Sequence, residues 1–148
     1  MPANCPTGPD VFPMPPLKLF IVEDSALILE SLRAALEELA PVVVVGSAAD
    51  ETSALRWLLE PANAWDLAIV DVFLKSGSGL GVLASSARAT VRGKKVVFTN
   101  YATRDVRERC QALGADRVFD KSSELDDLID YCARLADRDA GARSAPPA

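Results

Sequence analysis

Residues 67–71 read Leu67-Ala68-Ile69-Val70-Asp71: an apolar run closed by a carboxylate, with a flexible Ser76-Gly77-Ser78-Gly79 loop shortly after. A short continuous apolar run bounded by Gly and Ser reads as a strand buried on both faces. A charge at its end is out of place in a core but well placed at the lip of a parallel sheet. Working outward, Leu17–Val22 is a second such run, and it ends in Glu23-Asp24. If both strands share a sheet, three carboxylates meet at one edge. Their repulsion is costly unless a divalent cation offsets it.

Further apolar, β-branched runs occur at Val42–Ser47, Val96–Thr99 and Arg117–Phe119, with helical periodicity between them. In the first helix Ile28, Leu32, Ala35, Leu36 and Leu39 share one face at 3.6-residue spacing, and Ser25 is placed to cap its start. Other helices fit Glu51–Leu59, Leu80–Arg88, Thr103–Leu113 and Glu124–Ala136. Gly114 closes the fourth, and Leu125, Leu128, Ile129 and Cys132 form the buried stripe of the last. Five strand–helix repeats with short joins imply a parallel sheet covered on both faces. With right-handed crossovers this predicts an α/β, flavodoxin-like doubly wound sheet of five strands, order 2-1-3-4-5, with five helices. Ligands in such folds bind at the carboxyl ends of the strands, where strands one and three diverge. Those strands end in Glu23-Asp24 and Asp71.

Composition narrows the function. The 148 residues suit one domain, with a proline-rich leader over 1–16 and a tail over 137–148 both read as disordered, leaving 17–136 as the folded unit. The net charge of −5 supplies no basic stripe for nucleic acid, and no apolar run approaches a membrane span. Cys5, Cys110 and Cys132 are odd in number and widely spaced, and histidine is absent, so neither a disulfide framework nor zinc spacing is indicated. Cys110 and Cys132 fall on apolar helical stripes and read as packing residues. A reduced, cytoplasmic protein is expected.

Thr99 ends the fourth run and Lys121 follows the fifth, which places a hydroxyl and an ammonium on the same edge as the carboxylates. Each alone reads as an ordinary surface or strand residue. Together, IVEDS, VDVFLKSGSGLGVL, VVFTNYA and GADRVFDKS resemble the receiver domain of two-component response regulators over roughly residues 17–136. The resemblance implies that Asp71 accepts a phosphoryl group as an acyl phosphate. It implies Mg2+ held by Glu23, Asp24, Asp71 and the backbone carbonyl of Phe73, with Lys121 and Thr99 contacting phosphoryl oxygens. It further implies a signalling module rather than an enzyme. The donor would be a histidine kinase or histidine phosphotransfer protein, and an unidentified target would be reached by protein binding, as monomer or homodimer. With no effector segment visible after the last helix, a stand-alone receiver is expected. The first helix, with Leu27 off its core stripe, and the region of Arg104, Arg107 and the last helix are the expected docking surfaces; Arg104, Arg107 and Arg109 also read as a solvated basic face.

The sequence departs from the family at specific positions. The aromatic usually found three residues before the lysine is Val118, and Phe119 could replace it only through a register change. The usual proline after the lysine is Ser122, so that peptide is expected to be trans, with Ser122 or Ser123 capping the last helix. Asn100 and Tyr101 follow the threonine. Phe73 and Tyr101 are expected to crowd an attacking water and lengthen the life of the phosphorylated form. The alternative is a degenerate receiver that binds partners without phosphorylation. A haloacid-dehalogenase-type phosphatase would need an acid two residues after Asp71, where Phe73 stands. A nucleotide-binding relative of flavodoxin would need a Gly-rich loop after the first strand.

Overall fold

The computed structural model describes residues 15–88, 93–100 and 102–144. Among these, apolar runs and amphipathic segments alternate as five strands and five helices. The strands are β1 (Leu17–Val22), β2 (Val42–Ala48), β3 (Leu67–Val70), β4 (Lys94–Thr99) and β5 (Arg117–Asp120). The helices are α1 (Ala26–Leu39), α2 (Glu51–Leu58), α3 (Gly79–Arg88), α4 (Arg104–Ala112) and α5 (Leu125–Ser144). The strands pair in parallel in the order β2-β1-β3-β4-β5, as the alternation of segments predicts.

Both faces of the sheet are covered, which is why its strands are apolar without alternation. Successive side chains point to opposite faces. Leu19, Ile21, Leu67, Ile69, Phe98 and Phe119 therefore join Leu32 and Leu36 of α1 and Leu128 and Cys132 of α5 in one core. Phe20, Val22, Ala68 and Val70 pack on the other face with Ala54 and Leu58 of α2 and Val82 of α3. Val97 and Val118 continue that face under Leu83 and Cys110. Cys110 and Cys132 are buried free thiols, as their stripe positions predict, and burial pushes the Cys132 thiol up to about 12. No helix among the described residues is long and apolar enough to cross a membrane.

Several local expectations hold. The Ser25 hydroxyl accepts the Ile28 amide at 3.3 Å to start α1, and Gly114, at φ +104°, closes α4. Others are corrected. Leu39 is 60% exposed, so the core stripe of α1 is set by Leu32 and Leu36, with Leu29 packed against it. The reason is that the buried face runs Leu32, Leu36, Ala40 at four-residue steps, and Leu39 falls beside it. β4 starts at Lys94, earlier than its apolar run, because Lys94 and Lys95 already pair with Leu67 and Ala68. The backbone of α5 continues to Ser144, beyond Ala136, where the buried stripe ends.

Candidate functional site

Each predicted site residue sits immediately beyond, or at the end of, a strand whose hydrogen bonds fix it. β1 pairs with β2 and β3 up to Val22, and the next amide, Glu23, still donates to Ala48 O at 2.9 Å. The Asp71 amide donates to Val22 O at 3.0 Å, which brings the end of β3 beside the end of β1. The Lys121 amide donates to Thr99 O at 2.9 Å, so the end of β5 is likewise tied to β4. The backbone of a parallel sheet thus delivers side chains that are far apart in sequence to one edge. Glu23, Asp24, Ser25, Ile28, Asp71, Phe73, Thr99, Asn100 and Lys121 together line a cavity of about 170 Å³.

Within it Lys121 Nζ lies 2.8 Å from Asp71 Oδ2 and 2.5 Å from Glu23 Oε1. Burial of this ammonium opposes its charge. The hydrogen bonds to Asp71 and Glu23 outweigh that penalty and hold the lysine above its ordinary pKa. Glu23 Oε2 accepts the Ser25 amide at 3.0 Å, and Asp71 Oδ1 accepts the Phe73 amide at 3.2 Å. Asp24, half-buried, accepts the Lys75 amide at 2.8 Å. One carboxylate oxygen from each of Glu23, Asp24 and Asp71 lies within 4.8 Å of the other two. Three carboxylates against one ammonium leave two negative charges unbalanced at a largely buried place. All the donors are hard oxygens, and two charges are what a divalent ion would neutralise; the residues fit Mg2+. Beside them the Thr99 hydroxyl is fully buried and has no hydrogen-bond partner among the described residues.

The departures at the end of β5 have structural outcomes. β4 and β5 pair without a shift, Val97 with Val118 and Phe98 with Phe119. Phe119 therefore stays on the α1–α5 face, 1% exposed and 5.8 Å centroid to centroid from Tyr131. Val118, on the opposite face with Val97 and Cys110, keeps the position of the missing aromatic. The peptide after Lys121 is trans, since the described residues contain no cis peptide bond. Ser122 does not cap α5: its amide donates to Asp120 Oδ1 at 2.8 Å, and its hydroxyl donates to the same oxygen. These two bonds hold the Asp120 carboxyl below its usual range. Tyr101 lies outside the described residues, as do 1–14 of the proposed leader and 145–148 of the proposed tail.

Arg107 is also corrected. It is not part of a solvated basic face, because its guanidinium donates to Ala102 O, Val118 O and Glu124 Oε1 at 2.9, 2.9 and 2.7 Å. Arg104, by contrast, is exposed and pairs with Glu108 at 3.4 Å along its own helix. Sequence reasoning missed this clamp and missed the Asp120–Ser122 turn. An aspartate two residues before a serine is the signal for the second; the first has no local signal.

The model of the response regulator receiver domain matches residues 19–133. The uncharacterized transcriptional regulatory protein YvfU of Bacillus subtilis strain 168 is 31% identical over 116 residues, covering 77% of this chain and 56% of its own. The response regulator UvrY of Escherichia coli K12 is 23% identical over 113 residues, covering 76% and 51%. The chain spans about half the length of the curated relatives it matches. Among solved structures, the receiver domain of Francisella response regulator 1452 superposes with a TM-score of 0.73 at 18% identity, covering 83% of this chain and 98% of that one. A CheY-like receiver domain protein from Methanospirillum hungatei JF-1 gives 0.71 at 24%, covering 83% and 95%. Both share the fold. The match to the receiver family spans both sheet faces and every strand end that lines the cavity, and on it the chain belongs to the response regulator receiver domain family.

Proposed function

We propose that Asp71 is the phosphoacceptor of this receiver and that Mg2+ is held by the carboxylates of Glu23, Asp24 and Asp71 with the carbonyl of Phe73. The observation that carries this reading is the Thr99 hydroxyl, fully buried and unpartnered among the described residues, lining the same cavity as Asp71. A buried hydroxyl without a partner costs free energy and persists where a ligand completes it. A phosphoryl oxygen on Asp71 is a suitable partner.

An Asp71 carboxylate oxygen attacks phosphorus, a P–O bond forms, and the bond from phosphorus to the donor atom breaks. When bound, Mg2+ supplies charge that offsets repulsion between the carboxylate and the anionic phosphoryl group. Lys121, already 2.8 Å from Asp71, would pair with a second phosphoryl oxygen. A charge-assisted hydrogen bond of this kind contributes about 1.5–3 kcal/mol. That is enough to bias an element whose two states differ by a few kcal/mol. Receiver domains accept phosphoryl groups from histidine kinases. The donor in this reading is a histidine kinase, a histidine phosphotransfer protein or a small acyl phosphate. Leu27, 78% exposed, borders a groove beside Lys121 that is lined by Ile28, Leu32, Phe98 and Leu125 and is suited to the donor's docking. The phosphorylated form then acts by binding a protein partner.

Intact mass after incubation with acetyl phosphate tests the reading. Wild type should gain one phosphoryl group only with Mg2+, and Asp71→Asn should gain none. A folded protein that stays unmodified with both acetyl phosphate and a phosphorylated kinase would instead be a phosphorylation-independent binding module.

A further inference from the structure

Glu51, the first residue of α2, lies outside the four family motifs and outside the lining of the cavity, yet the loop after Asp71 is built around it. Its Oε1 accepts the Ser78 amide at 2.9 Å, and its own amide donates to Ser76 O at 3.3 Å. The loop and the first turn of α3 leave room for this side chain at two glycines. A Cβ on Gly77, whose φ is +79°, would lie 2.5 Å from Glu51 Cβ, and one on Gly81 would lie 2.3 Å from Glu51 Oε2. From Ser78 the connections run inward to the site. Ser78 bridges Phe73, its hydroxyl donates to Val72 O at 3.4 Å, and the Gly79 amide donates to the same oxygen at 3.0 Å. The Phe73 amide in turn donates to Asp71 Oδ1.

We infer that Glu51 is a positioning residue for the cation site, fixing the loop between β3 and α3 in the path that presents the Phe73 carbonyl beside the Asp71 carboxylate. The inference rests on the reading of that cavity as a Mg2+ site. It adds a residue on a different helix that no family motif contains. Glu51 acts through the backbone and does not itself touch the ion.

Titration calorimetry of the full chain with MgCl2 tests it, with thermal melting in EDTA as the control for folding. Groups that orient metal ligands from outside change affinity by roughly ten- to a hundredfold, and Glu51→Ala is expected at the lower end, roughly tenfold weaker. Glu51→Gln keeps an oxygen that accepts the Ser78 amide and should stay within about threefold of wild type. Gly81→Ala retains the carboxylate but displaces it while raising helix propensity, so it should weaken Mg2+ as Glu51→Ala does. A folded Glu51→Ala variant that binds Mg2+ like wild type overturns the inference. So does Glu51→Gln as weak as Glu51→Ala, because the loss then follows charge. If Glu51→Ala does not fold, wild-type affinity in Gly81→Ala overturns it by itself. A wild type that binds no Mg2+ removes the site reading and this inference with it, whereas normal wild-type binding with unchanged variants removes only the role of Glu51.

Discussion

The Thr99 hydroxyl is fully buried without a partner among the described residues, and such a group typically costs about 1–3 kcal/mol. Thr99→Val removes the hydroxyl and keeps the shape. It is expected to raise the stability of the metal-free protein by about 1 kcal/mol in urea unfolding while weakening retention of the phosphoryl group. A lower stability would show that the hydroxyl is satisfied in solution. Thr99 was legible as a residue of the cavity edge because it closes an apolar run, and the positions of Glu23, Asp24, Asp71 and Lys121 were legible because each follows such a run. Glu51 was not, since its partner Ser78 is 27 residues away and nothing local marks the pair. Phe119 could be placed only once the register of β4 with β5 was known, because a one-residue slip would have moved it to the other face.

At the scale of elements, Arg107 joins α4, the loop after β4, β5 and the start of α5 with one guanidinium. Its bond to β5 goes to the backbone carbonyl of Val118, whose side chain packs on Val97 and Cys110. The Arg107–Glu124 pair is about one-third exposed, so solvent screening reduces its value. Arg107→Ala should cost about 1–2 kcal/mol in urea unfolding, and Arg104→Ala, on an exposed pair, under about 0.5 kcal/mol. The hydrogen bond from Arg107, then that from the Asp120 amide, holds the Glu124 carboxyl below its ordinary range. A depressed carboxylate contributes stability above its unfolded pKa, near 4.3, and loses it as pH falls through the lower folded value. The stability gap between wild type and Arg107→Ala should therefore narrow as pH drops below about 4. A gap constant down to pH 2 would mean that the two carbonyl bonds, not the ion pair, carry the effect. The element boundaries that sequence misjudged were those where polar residues enter the ladder, as at Lys94 and Lys95, or where a helix runs past its buried stripe, as at α5.

For the whole molecule, the excess of two negative charges at the sheet edge opposes folding, and a bound divalent ion should reverse that. Mg2+ at one hundred times its dissociation constant is expected to add about 2.7 kcal/mol to the unfolding free energy, an increment reduced in Asp24→Asn. Melting curves across a MgCl2 series would check this, and an increment equal in both proteins would place the ion elsewhere. The sequence by itself determined the alternation of strands and helices, the two covered faces and the strand ends that carry the carboxylates, hydroxyl and ammonium. Those follow from short-range facts: apolar runs must be buried, side chains alternate, and crossovers are right-handed. Only the tertiary structure decided that Phe119 faces α5, that Arg107 folds back to bond β5, that Leu39 stays in solvent, and that Glu51 bonds the loop behind Asp71. Each of these depends on how the helices pack on the sheet and not on any residue's neighbours in the chain.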